Sequence, residues 1–213
     1  MIRKKFTIEV KSMQNYYELA QSVKISDDKK HILLDADQSL SLIGKGRSAY
    51  VFRIHSTNKA LKVFFPDHTH TAKVEAEIYK TVQAIDYYPT LYDAGINYLV
   101  IDHIEGNTLF ECLTLGIPIT EKNIKEIDHA LQLARKEGLN PSDIHLRNIF
   151  ITTEMKVKII DVARFKQLKS CNQWHDLKSA FHLLYSKSFF PKKIPGFILN
   201  SIAAIYKKRF LPI

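Results

Sequence analysis

The sequence is poor in glycine and proline, with seven of each among 213 residues, and it contains neither a repeat nor a low-complexity tract. Such a chain has no stretch typical of a long flexible linker. No run approaches the roughly 18 apolar residues that a membrane-spanning helix requires. A basic start, Arg3-Lys4-Lys5, resembles the opening of a signal peptide, but Glu9 and Lys11 interrupt the apolar stretch that would have to follow. We therefore expect neither a transmembrane segment nor export.

Cysteine is equally scarce. The two cysteines, Cys112 and Cys171, lie far apart and match no metal-ligand spacing. The simplest interpretation is a pair of buried free thiols in a reducing compartment. We therefore expect a cytoplasmic protein.

The composition is otherwise that of a globular protein, with 46% hydrophobic and 25% charged residues. The length suits one large domain or two small lobes that share a cleft. The net charge is +9, from 31 Lys and Arg against 22 Asp and Glu. This excess favours an acidic partner, such as a nucleotide, RNA or ribosome, or an anionic surface. The simpler alternative is a solvated basic surface without a specific partner.

Hydrophobic periodicity divides the chain into a mostly β first part and a mostly helical second part. The spacing predicts strands over 32–34, 39–43, 50–54, 60–65, 90–92, 98–101, 149–151 and 157–160. It predicts helices over 13–23, 71–84, 121–137, 174–186 and 196–208. Helix 121–137 is the clearest, because Thr120 is a suitable N-cap, Gly138 a suitable C-terminal residue, and Ile124, Ile127, Leu131 and Ala134 form one apolar stripe. Gly106 is expected to break the chain after the last strand of the first part.

Two features of the first part suit an anion. Gly44 and Gly46 lie between two predicted strands, and two glycines at this spacing let a backbone turn tightly and approach a phosphate. Lys62 lies inside an apolar strand, where it must find an anion or snorkel to water. Glu75, on the following helix, would hold the lysine in place, and Glu77 is its rival on another face of that helix.

The second part carries a set of oxygen ligands. Asp143 and Asn148 lie in one loop, where an aspartate can orient a hydroxyl and an asparagine can bind a metal through its amide oxygen. Asp161 follows the apolar strand 157–160. Mg²⁺ usually takes one or two carboxylates together with phosphate oxygens of the substrate. Each of these residues alone would more often be a turn residue.

The ordered set of glycine loop, strand lysine, helix glutamate, loop aspartate and asparagine, and final aspartate resembles the protein-kinase-like superfamily. The resemblance covers roughly residues 40–180. The chain also resembles the minimal bacterial proteins, of the kind found in Bacillus, that are described as probable serine/threonine protein kinases. It implies an α+β, two-lobed fold with a small antiparallel N-lobe sheet and a reduced, mostly helical C-lobe. The whole of 1–213 would form one kinase-like domain, with an N-lobe over 1–101, a hinge over 102–106 and a C-lobe over 107–213.

The resemblance also implies roles for individual residues. Asp143, Lys62 and Glu75 would be catalytic, and Asn148 and Asp161 would bind Mg²⁺. The residues implied for ATP binding are Ile43, Gly44, Lys45, Gly46, Val51, Ala60, Lys62, Asp102 and Ile104. Asp176 matches the structural aspartate that opens the helix after the activation segment.

The chain also departs from the typical kinase pattern. Ser142 replaces the arginine that precedes the catalytic aspartate, so control through an arginine–phosphate pair is not expected. The loop from Asp143 to Asn148 is more similar to that of RIO-type, lipopolysaccharide-core and aminoglycoside kinases. Ala163 stands in place of the usual glycine, and only a short segment separates Asp161 from Asp176, which leaves little room for peptide docking.

The resemblance therefore implies transfer of the γ-phosphate of Mg-ATP to a hydroxyl, on Ser or Thr of a protein or of the chain itself. One alternative is a kinase whose acceptor is a sugar or an antibiotic, and another is a nucleotide-binding pseudokinase that acts as a scaffold. The last helix, with Lys207-Lys208-Arg209, permits contact with an anionic membrane. We expect instead that it closes the small lobe, as amphipathic helices commonly do.

Overall fold

The computed structural model describes residues 15–210, and the side chains through Tyr206. The chain folds into two compact units. The first comprises the residues up to Ala76 together with Thr90–His103, and the second comprises Glu77–Pro89 together with the residues from Ile104 onward. Residues 77–89, assigned above to the N-lobe, thus group with the second unit. The assignment of the whole chain to one kinase-like domain stays a prediction.

The first unit is built on a five-stranded antiparallel sheet in the order β3-β4-β5-β7-β6. Its strands are β3 (Leu40–Lys45), β4 (Ala49–Ile54), β5 (Lys59–Phe64), β6 (Leu91–Ala94) and β7 (Tyr98–Asp102). Before them come helix α1 (Tyr16–Ser22) and a small hairpin of β1 (Lys24–Ile25) and β2 (Leu33–Asp35). Helix α2 (Thr69–Thr81) follows β5 after a single 3₁₀ turn, Pro66–His68.

The core of the first unit lies on one face of this sheet. Alternation along β4 turns Phe52 and Ile54 inward, and both are at most 1% exposed. Leu61 and Val63 of β5 join the same cluster, against which Leu19 of α1 packs. Because β5 lies between β4 and β7, nearly all of its residues are buried.

The second unit combines helices with a three-stranded antiparallel sheet in the order β10-β9-β8. Its elements after the first unit are β8 (Gly106–Thr108), α3 (Leu109–Leu115), α4 (Glu121–Lys136), β9 (Ile149–Thr152), β10 (Val157–Ile159), α5 (Gln173–Ala180) and α6 (Gly196–Phe210). The predicted fold class, α+β with an antiparallel sheet before a mostly helical part, is confirmed. Within residues 15–210, no helix is both long and apolar enough to cross a membrane.

Helix α4 forms where the sequence predicts it. The Thr120 hydroxyl accepts the Asn123 N–H, and the Asn123 side chain accepts the Thr120 N–H, which completes a capping box. All four residues of the predicted stripe are buried, and Ile127 is 0% exposed. Gly138 follows the helix in the left-handed conformation, with φ at 78°, as a C-terminal glycine does.

Several local predictions are wrong. Gly106 does not break the chain but opens β8, and it must be glycine because a Cβ there would lie 2.3 Å from the Ile151 carbonyl oxygen. Helix α3 was not predicted, although Thr108 and Glu111 form a capping box at its start. In the region predicted as helix 174–186, the α-helix spans Gln173–Ala180, and a π-helical turn follows over Phe181–Tyr185.

Some predictions fall outside the described residues. They concern residues 13 and 14 of the first predicted helix and the side chains of Lys207-Lys208-Arg209.

The two cysteines are free, as predicted, but only one of them is buried. Cys112 is fully buried on α3, whereas Cys171 is half-buried. Burial, and to a smaller extent the nearby Glu111 carboxylate, raises the pKa of the Cys112 thiol to about 11. Cys112 therefore behaves as a small apolar core residue.

Truncation of the α4 stripe should destabilise the second unit. Ile127→Ala removes a fully buried side chain, so we expect the free energy of unfolding to fall by about 2–5 kcal/mol. Lys125→Ala, on the exposed side of the same helix, should change it by less than about 0.5 kcal/mol. Urea titration followed by fluorescence of Trp174, which lies in this unit, measures both variants. Equal effects of the two substitutions would contradict the assigned stripe.

Candidate active site

Lys62 occupies the centre of the first unit's sheet. It pairs with Val51 of β4 on one side and with Leu99 of β7 on the other, and it is only 9% exposed. It is therefore not an edge lysine that snorkels to water. Its ammonium lies 2.8 Å from each carboxylate oxygen of Glu75, which is on α2 and is 0% exposed.

This contact decides between the two candidate glutamates. Glu77 is half exposed and pairs with Lys166 at 2.6 Å, within the second unit. A buried ammonium and a buried carboxylate are each costly to remove from water, and only a close, well-oriented pair offsets that cost. Glu75 is therefore the partner of Lys62.

The glycine loop joins β3 to β4, and its turn is closed by a 2.8 Å hydrogen bond from the Gly46 N–H to the Ala49 carbonyl. A Cβ at Gly44 would lie 3.9 Å from the Val51 side chain, and one at Gly46 would lie 3.6 Å from the Ala49 carbonyl, which are ordinary contacts. Packing within the first unit therefore does not require glycine at either position. A ligand that approaches the backbone closely would require it.

The other residues predicted to bind ATP are distributed unevenly. Ala60 is buried in β5, Val51 is half-buried, and Ile43 is 48% exposed. The Lys45 ammonium donates to the carbonyls of Lys30 and His31, at 3.0 and 3.1 Å. The Lys45 side chain thus binds the β1–β2 hairpin. The backbone of Lys45 is the part that lies in the glycine loop.

Asp102 ends β7 and is held by the neighbouring strand. Its carboxylate accepts hydrogen bonds from the Thr90 N–H at 2.7 Å and from the Tyr92 hydroxyl at 2.8 Å. The bond to this carboxylate raises the pKa of Tyr92. The resemblance implies that Asp102 binds adenine through its main chain, so these side-chain bonds do not conflict with the predicted role. Ile104, the other predicted hinge residue, belongs to the second unit.

In the second unit, Asn148 connects the loop to the end of β10. Its side-chain amide donates to the Asp143 carbonyl at 3.1 Å. Its main-chain carbonyl accepts the N–H of Ile160, the residue before Asp161, at 2.9 Å. Asn148 is 5% exposed, so both contacts are sheltered from water. These bonds tie together the three segments that carry Asp143, Asn148 and Asp161.

Both aspartates adopt a backbone conformation that side chains rarely take. The φ angle is 61° at Asp143 and 58° at Asp161. A non-glycine residue held in this left-handed region costs about 1–3 kcal/mol by general estimates, and such residues concentrate at functional sites. His31, Ser56 and Met155 share this conformation, so the φ angles are compatible with the predicted roles of the two aspartates but do not select them.

One neighbour of Asp143 was not predicted. The Arg164 Nε lies 3.4 Å from an Asp143 carboxylate oxygen, and the Arg164 side chain is 56% exposed. The following residue, Phe165, is fully buried and closes a turn through its N–H to the Val162 carbonyl, which fixes where Arg164 leaves the backbone. Its position three residues after Asp161 was the signal available in the sequence.

Asp176 connects two helices of the second unit. The Tyr206 hydroxyl of α6 donates to its carboxylate at 2.6 Å. Burial, and next this hydrogen bond, raises the pKa of Tyr206 to about 12. This contact is compatible with the structural role that the resemblance implies for Asp176.

The described residues contain no cluster of three or more His, Cys, Asp or Glu side chains that could hold a metal ion. The predicted pair of Asn148 and Asp161 is smaller than such a cluster. A pair of oxygen ligands suits Mg²⁺, because this ion keeps waters and binds substrate phosphates. The donor chemistry of the two residues therefore fits the predicted ion.

The chain has relatives among known proteins. No family model matches the chain. A Bacillus subtilis (strain 168) protein, named "Putative serine/threonine-protein kinase YrzF", is 51% identical over 176 residues, which cover 82% of each chain. The chain therefore belongs to the family of serine/threonine-kinase-like proteins that includes this relative.

Two further relatives are more distant. "Serine/threonine-protein kinase PLK4" of Danio rerio is 25% identical over 154 residues, 64% of this chain and 16% of that protein. "Probable serine/threonine-protein kinase CPE1738" of Clostridium perfringens (strain 13 / Type A) is 25% identical over 161 residues, 68% of this chain and 24% of that protein. These names support the predicted kinase family. They do not test the likeness to RIO-type, lipopolysaccharide-core and aminoglycoside kinases, and none supports an RNA or ribosome contact.

Removal of the Glu75 carboxylate should destabilise the protein strongly. Glu75→Ala removes the carboxylate that the buried Lys62 ammonium contacts at 2.8 Å, and loss of one member of a buried ion pair is strongly destabilising, so we expect a loss of about 3–5 kcal/mol in the free energy of unfolding. Glu77→Ala breaks only a half-exposed pair and should cost less than about 1 kcal/mol. Urea denaturation of both variants measures the difference. A small loss for Glu75→Ala would show that the pair does not constrain the first unit.

Proposed function

We propose that this chain is a phosphotransferase that moves the γ-phosphate of Mg-ATP to a hydroxyl, on Ser or Thr of a protein or of the chain itself. The observation that carries the proposal is the buried Lys62–Glu75 pair. Replacing a buried ion pair by apolar residues is often neutral or stabilising. An ammonium kept in the centre of a sheet therefore needs a reason other than stability, and binding of phosphate oxygens supplies one.

The first unit would bind the nucleotide. Glu75 holds Lys62 in one orientation, so that its ammonium can bind phosphate oxygens without reorganisation. N–H groups of the glycine loop other than that of Gly46, which donates to the Ala49 carbonyl, would contact the phosphates, since neither Gly44 nor Gly46 carries a side chain in the way. The backbone of Asp102 would bind the adenine, as the resemblance implies. The resemblance implies the same role for the backbone of Ile104, which belongs to the second unit.

The second unit would bind the metal. Asn148 uses its side-chain NH₂ on the Asp143 carbonyl, which leaves the amide oxygen for a cation. Asp161 adds a carboxylate. When bound, Mg²⁺ neutralises charge on the transferred phosphoryl group.

Asp143 would act on the acceptor. Its carboxylate orients the attacking hydroxyl and accepts its proton, as a general base must. Two contacts hold Asp143. The Asn148 side chain donates to its main-chain carbonyl, and the Arg164 Nε contacts its carboxylate. Positioning and charge stabilisation account for most of the rate enhancement in phosphoryl transfer.

The relatives' names favour a protein acceptor. A small-molecule acceptor, such as a sugar or an antibiotic, is the second candidate. The short segment between Asp161 and Asp176 favours it, because little chain is available there to dock a peptide. Label that appears in a metabolite pool but not in added proteins would identify the second candidate.

Phosphoryl transfer should depend on Asp161. Asp161→Ala removes the predicted carboxylate ligand of Mg²⁺, so we expect transfer of radiolabel from ATP to fall by roughly 10²-fold or more. Glu154→Ala, at a site 71% exposed in the same unit, is the matched control and should leave transfer unchanged. Equal transfer by the wild type and Asp161→Ala would overturn the proposal that this chain is an active kinase. Thermal stabilisation by Mg-ATP without any transfer would instead support the pseudokinase alternative.

Arg164 should influence the reaction rather than folding. Arg164→Ala removes the cation beside Asp143, and we expect kcat to fall by roughly 10–100-fold with KM for ATP little changed. Arg164→Lys should restore part of the rate. Because Arg164 is mostly exposed, the free energy of unfolding should change by less than about 0.5 kcal/mol. An unchanged kcat would show that the ion pair has no role in positioning Asp143.

A further inference from the structure

The second unit contains a cavity of about 310 Å³ that neither the predicted metal ligands nor Asp143 lines. One wall comes from α4, through Asp128 and Arg135. A second comes from Pro141 and Ile144, which lie on either side of Ser142 and Asp143 in the loop. The third comes from residues 171–178, at the start of α5.

The charges around this cavity are not balanced. The Asp128 carboxylate accepts hydrogen bonds from the Trp174 indole N–H at 2.7 Å and from the Lys178 ammonium at 2.9 Å. Its negative charge is therefore already satisfied by donors of the cavity wall. Arg135 also lines the cavity, and within residues 15–210 no carboxylate forms an ion pair with its guanidinium.

Further residues of the lining can donate hydrogen bonds. His175 and Asn172 line the cavity together with Arg135, and all three are exposed. The described part of the chain offers no carboxylate to His175 either. A guanidinium presents five N–H donors in a planar fork that matches carboxylate and phosphate oxygens. The cavity therefore suits an anion with several acceptor oxygens.

We propose that this cavity binds a phosphate monoester, in the form of a phosphorylated serine or threonine side chain. Three phosphate oxygens and a charge near −2 match the donors of Arg135, His175 and Asn172. The volume lies at the lower end of the roughly 300–1,000 Å³ of small-molecule sites, which suits one phosphorylated side chain. The choice of a phosphorylated residue rests on the proposed function, whereas the anion site does not.

The position of the cavity connects it to the reaction. An occupant would contact Pro141 and Ile144, and these residues bracket Asp143 in the loop. It would also contact residues 171–175, which end the segment that begins at Asp161. A bound phosphate would therefore contact both chain segments that carry the predicted carboxylates.

Trp174 makes this proposal directly measurable. It is the sole tryptophan of the chain, it lines the cavity, and it is 7% exposed. We expect O-phosphoserine, titrated into the full chain, to produce a saturable change in its fluorescence. Arg135→Gln should weaken this binding about tenfold or more, because it removes a charge-assisted pair. His175→Gln is a second variant and should weaken it less.

The matched control is Lys136→Gln, which removes one positive charge from the adjacent exposed residue outside the cavity lining. It should bind O-phosphoserine as the wild type does. No saturable change, or equal affinity of wild type and Arg135→Gln, would overturn the site. Serine should not bind. Glutamate bound as tightly as O-phosphoserine would overturn the choice of phosphate, and binding of inorganic phosphate alone would overturn the choice of a phosphorylated residue.

This experiment is independent of catalysis, because it uses neither ATP nor turnover. Asp161→Ala should bind O-phosphoserine with wild-type affinity, even though it should not transfer phosphate. Binding without transfer in the wild type would reject the proposed function and keep the anion site. Transfer of phosphate without binding of O-phosphoserine would reject the anion site and keep the proposed function.

Discussion

The first unit depends on one electrostatic constraint, the buried pair of Lys62 and Glu75. The lysine lies on the central strand and the glutamate on a helix, so their contact at 2.8 Å fixes the distance between α2 and the sheet. Ala72 and Ala76, on either side of Glu75 along α2, are both buried and have small side chains that permit close packing. A buried pair is weak as a source of stability but strict in its geometry. Its presence therefore indicates that the orientation of the ammonium matters.

The second unit shows the complementary principle, in which strain is held by a buried framework. Asp143 and Asp161 both have positive φ, and each lies beside a residue with almost no exposure, Ile144 and Val162. Asn148 links the two segments through one side-chain and one main-chain hydrogen bond. Because the surroundings are packed, the carboxylates cannot relax into ordinary turns without the loss of these contacts. Preorganisation of this kind is what electrostatic catalysis requires.

The sequence predicted the elements whose signals are local. Helix α4 has a capping residue, an apolar stripe and a terminal glycine, and it formed as expected. The residues alone left Glu75 and Glu77 open as partners of Lys62, because the answer depends on which face of α2 meets the sheet, and the family resemblance selected Glu75. Helix α3 was missed because its seven residues are too few to show a period, although the capping residues Thr108 and Glu111 were present. The Arg164–Asp143 contact and the cavity were missed, since both depend on chain segments that meet only after folding, and the position of Arg164 near Asp161 was the one sequence signal.

Net charge illustrates the same difference between composition and geometry. An excess of +9 predicts an acidic partner but not its place. In the structure, Lys166 and Lys178 are each within 3 Å of a carboxylate, and these cations are already compensated. Arg135 is not compensated in this way within the described residues. A positive charge attracts an anion more strongly where the protein has not already neutralised it. For this reason we propose the acidic partner at the cavity lined by Arg135, rather than wherever lysine and arginine are most numerous.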